Sequence, residues 1–394
     1  MFHRVPSLKF GAISFCVALL ALLSGCSGSS PQQSTSGFPQ RAFVSNNEAG
    51  TLQIIDSIHD ILDFATNISA GTGPGLMAVA PNRKFTLVFD TVGNSISVVN
   101  NAHESQTTSI SLPSWTESMA ISPDSTLGYV AMPAAQVLAK PAGIVDVLDL
   151  VNNRVKYILD IPQAHWLAVN HSGNRVLVFS DNSDSVTVIN PSQIGSPAFS
   201  TTVTGFDQPV GAVFSDDDST AYVLNCGAEC GGTNAGITVL HMNSNTTGPT
   251  VGLSGATSAM LINGNLYVAG SGHGVGTLQV VNTAGLVASA PVSISNGYHW
   301  RMELGSLNKL FIGSRGCTSR GCLTIFDIAS NQAVLDTPNG DVTGIAPIPN
   351  RNVVYVIEGG ELRIFDTTTS APSTTQFIDI VGKAIDVKEI DPAQ

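Results

Sequence analysis

The sequence predicts an all-β ring, an eight-bladed β-propeller of four-stranded blades. Three observations carry this. A strand–loop–strand unit recurs eight times at a nearly constant step, no stretch shows convincing helix periodicity, and a spare strand remains at the C-terminus. The units read AFVSNNEAGTLQIID, TLVFDTVGNSISVVN, GYVAM…GIVDVLD, VLVFSDNSDSVTVIN, AYVLN…GITVLH, LYVAGSGHGVGTLQVVN, LFIGS…LTIFD and VYVIEGGELRIFD. Their head residues are Phe43, Leu87, Tyr129, Leu177, Tyr222, Tyr267, Phe311 and Tyr355, with steps of 44, 42, 48, 45, 45, 44 and 44. Val follows the head in seven copies and Ile in the eighth.

Each unit supplies the second and third strands (B and C) of a blade. The second blade shows all four, with LMAVAP as A, TLVFD as B, SISVVN as C and TTSISL as D. B and C carry continuous apolar runs such as Ile54-Ile55 and Val98-Val99, as sheets covered on both faces require. No A strand precedes Phe43. After the eighth D strand, TQFIDIV, the stretch KAIDVKEI at 383–390 remains. It completes the first blade, joins the chain ends and leaves no open edge. The propeller then spans 41–394 as one domain.

"AYVLN", "LYVAG" and "GYVAM", followed by "ITVLH", "LQVVN" and "VDVLD", resemble YVTN-repeat β-propellers over residues 42–391. That family is often seven-bladed, so the count of eight departs from its common pattern. The resemblance implies an extracytoplasmic or surface protein. Relatives in the wider propeller group include lactonases and amine-dehydrogenase subunits, but no catalytic motif of theirs can be placed here residue by residue.

Residues 1–25 read as an address. Arg4 and Lys9 precede the apolar run FGAISFCVALLALLS, which is short for a membrane span and suited to a signal peptide. The run ends in Leu23-Ser24-Gly25-Cys26, which resembles a bacterial lipobox with Cys26 as the lipidated residue; an ordinary secretory peptide is the alternative. Residues 26–40, rich in Ser, Gln, Gly and Pro, read as a flexible tether. The expected location is the cell envelope, with the membrane reached through the lipid alone.

Charged residues make up only 12% of the chain, and the formal net charge is −12. Removing the address leaves 15 basic and 29 acidic residues, a net of −14. This argues against nucleic acid and against docking on anionic lipid through basic patches. Cys226 and Cys230 in CGAEC, and Cys317 and Cys322 in CTSRGC, are expected to form two local disulfides in an oxidising compartment. A four-Cys zinc site is the alternative, but neither pair is C-x-x-C. No C-x-x-C-H supports covalent haem, and no cofactor or metal is expected.

The dipeptide His-Trp occurs twice, at His165-Trp166 and His299-Trp300. Both pairs lie 12 and 11 residues before their head residues, Leu177 and Phe311, which puts them at one structural position at the top of strand A, three blades apart. Glu117 lies 12 before Tyr129 and is equivalent to both histidines by this count, with Trp115 just before it. In a propeller the D–A and B–C loops share the face around the channel mouth, where ligands gather. Trp115, Glu117, His165, Trp166, His299, Trp300 and Arg301 are therefore candidate ligand-binding residues, with tryptophan faces for stacking and charged groups for orientation. His273 joins them from the blade 6 loop GSGHGVG. The same face carries Lys140 in the long blade 3 loop, and Arg315 and Arg320 in the blade 7 loop. The competing reading is that Trp packs between blades and the dipeptide echoes duplication. Asp216-Asp217-Asp218, on the opposite face, reads as a solvated turn, with calcium as the alternative.

The expected function is an envelope-anchored binding or scaffold module, monomeric, for a small molecule or an envelope protein. The alternative is a lactonase- or isomerase-type enzyme, with His165 or His299 as general base and Arg301 stabilising an anion. Three blades of separation puts the histidines roughly 10 Å or more apart by sheet spacing, which suits gripping a ligand better than proton relay. No residue is assigned as catalytic.

Overall fold

The computed structural model describes residues 35–318, 321–335, 340–369 and 373–392. The signal segment, Cys26, most of the tether and Arg320 lie outside them. Residues 36–394 form one compact unit.

Eight antiparallel sheets follow one another around a closed ring, with each A strand beside those of the two neighbouring blades. Seven blades run A to D in chain order. In the first, Ala384–Glu389 pairs with Arg41–Asn46, followed by Thr51–Asp56 and Ile61–Ser69. The C-terminal strand thus closes the ring as the sequence predicts. Blade 6 is the irregular one, its outer strand split into Val287–Ala288 and Val292–Ile294. The only helical pieces among the described residues are three short 3-10 turns, and no helix is long and apolar enough to cross a membrane.

The eight head residues are the wedges between blades, and all are buried. Phe43 packs with Met77 and Val88 of the next blade, Tyr129 with Ala164 and Val178, and Phe311 with Val342 and Val354. An aromatic or Leu at this point, with Val beside it, fills both flanks of a blade at once. Removing a large buried side chain from such a core costs about 3–5 kcal/mol.

Two charged clasps hold the seam. Arg41, in the first strand, reaches Glu104 at 2.7 Å and Asp391 at 2.8 Å. Arg351 of blade 8 binds Asp60 of blade 1, which also accepts from the Tyr355 hydroxyl. Most A–B turns are built alike, with a side chain holding the turn and a left-handed residue such as Arg83, Ser125 or Asp218. Asp217 and Asp218 belong to this scheme. Asp217 caps Ser219, and Asp218 accepts from the His171 and Ser172 backbones of the neighbouring blade.

Candidate functional site

The two His-Trp pairs are not at one structural position. In blade 4, Ala164 pairs with Ser180 and Trp166 with Phe179, leaving His165 as the bulged residue. In blade 7, His299 pairs with Ser314 and Arg301 with Gly313, leaving Trp300 bulged. Phe179 and Gly313 each lie two residues past their head residues. His299 therefore takes the place of Ala164, Trp300 that of His165, and Arg301 that of Trp166. The cause is the A–B turn. Paired strand ends lie seven residues apart at Val169–Val176, Ile121–Gly128 and three other blades, but six apart at Leu304–Leu310. Counting back from the head thus slips by one in blade 7, and one residue of slip exchanges the faces of a strand.

The consequence for the two histidines is large. His299 is 0% exposed, and its Nε2 donates to the Ser295 carbonyl at 2.9 Å. Burial pulls its pKa down to about 4, so it is a neutral core residue. It does not reach the channel mouth. His165 does, and lies between two carboxylates, with Nδ1 2.8 Å from Asp181 and Nε2 3.2 Å from Glu117. Burial alone would lower its pKa, but these two hydrogen bonds and charges reverse the effect and raise it to about 9. At neutral pH His165 is an imidazolium with both ring nitrogens engaged. Neither histidine therefore offers a free base to the channel mouth at neutral pH.

Glu117 is the hub. Its carboxylate also accepts from Arg315, at 2.8 and 3.2 Å, across 198 residues of sequence. The hydrogen bond from His165 lowers its pKa to about 2 with help from Arg315, against the opposing effect of burial. Blades 3 and 7 stand opposite each other in a ring of eight, so the chain Asp181–His165–Glu117–Arg315 spans the channel mouth. Aromatic rings enclose it. Trp115, 42% exposed, meets His165 edge-on at 5.7 Å, and Trp166 stacks on His165 at 4.4 Å. The Arg315 guanidinium lies 4.8 Å from the Trp300 ring and 5.3 Å from Tyr298. The Arg301 guanidinium also lies over the Trp300 ring, at 4.0 Å, and donates to the Thr343 carbonyl, while the Trp300 indole donates to that of Val342.

Three cavities adjoin this strut, and Tyr298 lines all three. Two are small, about 290 and 240 Å³, and Trp166 lines both. The third is a basin of about 1000 Å³ between the loops of blades 5, 6 and 7. Its wall includes Cys226, Glu229, His273, Asn296, Tyr298 and Arg315. The expected disulfides, Cys226–Cys230 and Cys317–Cys322, are both formed and staple two of these loops. Two disulfides fit an oxidising compartment outside the cytoplasm. Among the described residues no group of three His, Cys, Asp or Glu could hold a metal.

The structure thus brings together Trp115, Glu117, His165, Trp166, Trp300 and Arg301. His273 lies on the basin wall, on a hairpin tip with left-handed backbone, and His299 is sealed away. Asp181, Tyr298, Arg315 and Glu229 also belong to the site, and nothing in the sequence alone marks them as site residues. Arg315 appears in the sequence only as a loop cation, because its partner is blades away. Glu229 sits in plain view inside CGAEC.

No family model matches the chain, and no curated protein matches it. Solved structures do. Dihydro-heme d1 dehydrogenase NirN, solved in complex with DHE, is similar over 89% of this chain and 75% of its own, at 11% identity and a TM-score of 0.68. A functionally unknown protein from Desulfotomaculum acetoxidans is similar over 75% of this chain and 94% of its own, at 16% identity and a TM-score of 0.56. The Cps50 (Swd1) β-propeller domain of Myceliophteria thermophila is similar over 72% of this chain and 92% of its own, at 8% identity and a TM-score of 0.53. At these identities the likeness concerns the fold, and the chain is a β-propeller.

Proposed function

We propose that this protein is an exported, lipid-anchored binding propeller whose ligand sits in the basin between blades 5, 6 and 7. The observation that carries the reading is the basin itself. Its volume of about 1000 Å³ is at the upper end of small-molecule sites. Two stapled loops wall it, and Tyr298 and Arg315 are held in its lining by contacts that need no ligand. Such a site loses little freedom on binding. The strut supports binding rather than catalysis, since its acid and base are already satisfied by each other.

The test is a thermal-shift screen of the full-length protein with sugars, lactones, peptides, amines and divalent metals, run beside Tyr298→Ala and Asn296→Ala. A ligand of the native state raises the melting temperature. The reading expects at least one shift that is lost in these variants. Shifts that persist unchanged in both would move the site elsewhere. The anchor reading follows from the lipobox alone. It expects a lipid label and membrane fractionation that Cys26→Ala abolishes; an unlabelled wild-type protein would refute it.

A further inference from the structure

Among its described residues the basin has an unbalanced charge. Arg315 is the one arginine or lysine described in its wall, and Glu117 already takes it with two hydrogen bonds. His165, behind it, is bracketed by two carboxylates. Glu229, by contrast, has no basic partner among the described residues. Its one hydrogen bond there is accepted from the Ser271 backbone N–H at 3.0 Å. His273, another ionisable group of the same wall, makes no ion pair or hydrogen bond with it. The carboxylate is half-buried and held in place, because it lies in the short turn Gly227–Cys230, closed by the Cys226–Cys230 disulfide. Burial pushes its pKa up, against the one backbone donor.

We infer that the basin recognises an alkylammonium group seated on Glu229, carried either by a small amine or by a lysine side chain. The inference rests on the basin reading above and gives it a ligand class. A half-buried carboxylate without a counter-charge is unfavourable by itself and becomes favourable when a cation with hydrogen-bond donors reaches it. An ammonium has three donors. Ser254 and Tyr298 belong to the same lining, and a tyrosine ring is a good face for a cation. Among the described residues an anionic ligand has no such opening, since Arg315 is committed to Glu117. The acidic chain, at −12, biases encounter in the same direction.

Calorimetric titration of the full-length protein tests this. The probes are n-butylammonium chloride and Nα-acetyl-lysine methylamide, each against its neutral counterpart, n-butanol and the Nε-acetylated lysine. The wild-type protein is expected to bind the amines at least about 10-fold more tightly than the neutral compounds, the usual value of a charge-assisted hydrogen bond. Glu229→Gln keeps an oxygen for the Ser271 N–H and is expected to fold with an unchanged melting temperature while losing about 10-fold or more in amine affinity. The amine-to-isostere comparison is made within wild-type protein and does not depend on the variant folding. Tighter binding of the lysine probe would identify a protein side chain as the source, and tighter binding of butylammonium a free amine. The inference is overturned if neither amine binds, if Glu229→Gln binds them equally well, or if calcium occupies Glu229 and excludes them. A neutral ligand bound in the basin with no dependence on Glu229 would overturn the ammonium class while leaving the basin reading standing.

Discussion

His165 and His299 each precede a tryptophan in the innermost strand of their blade, yet one is a partly buried cation at the channel mouth and the other a neutral core residue. His165 lies in a bulge and touches two carboxylates. His299 lies one step earlier in the ladder, is 0% exposed, and holds a backbone carbonyl. A turn shorter by one residue separates these fates. Function in a repeat fold is thus decided by local register as much as by residue identity, and a shared dipeptide does not imply a shared site.

Removing each histidine in turn separates the two environments. His299→Ala opens a cavity and strips the Ser295 carbonyl, so it should cost about 3 kcal/mol in chemical denaturation. Glu117→Ala comes next. It leaves Arg315 and His165 with fewer partners, but the Glu117 and Arg315 side chains are about one-third exposed and screened, so a loss of about 1–2 kcal/mol is expected. His165→Ala should cost about 1 kcal/mol, and less above its pKa. Trp115→Ala, at an exposed edge, should stay within about 0.5 kcal/mol. Equal losses for His165→Ala and His299→Ala would remove the distinction.

The pH dependence separates the two histidines by sign. The His165 pKa is raised from 6.5 to about 9, so its contribution is complete below 6.5 and fades as pH rises through 9. The His299 pKa is lowered from 6.5 to about 4, so its contribution is present above 6.5 and fades as pH falls towards 4. Glu117, lowered from 4.5 to about 2, loses its contribution only below 4.5. Stability profiles of the two alanine variants should therefore converge on wild type at opposite ends, His165→Ala in alkali and His299→Ala in acid. Convergence at the same end would contradict the assignment.

The fold was legible because its signals are local and repeated. Phe43 to Tyr355 mark the blade wedges at a fixed step, and the stretch at 383–390 had no other place to go. The disulfides were legible because each pair is four or five residues apart and sits in one loop. The site was legible in part. Glu117, His165 and Trp166 meet as their spacing suggests, since blades 3 and 4 share the six-residue A–B connection. Blade 7 breaks that spacing in the segment LGSLNKL, where Leu307 and Asn308 turn left-handed. The link from Glu117 to Arg315 was not legible, because it depends on which blades face each other across a closed ring. Glu229 was overlooked for the opposite reason. Only the surrounding cavity, and the absence of a paired cation among the described residues, distinguishes it from any surface glutamate.

The most direct test of the strut is an NMR titration of the imidazole nitrogens of His165 and His299 in the folded protein. The charged strut predicts that His165 titrates near 9, with both nitrogens protonated at neutral pH, and that Glu117→Gln brings it down. The buried register predicts that His299 stays neutral to about 4, with its proton on Nε2. Two histidines titrating together near 6.5 would mean that neither the bracket of carboxylates nor the buried register exists, and the charged strut beside the basin would fall with them.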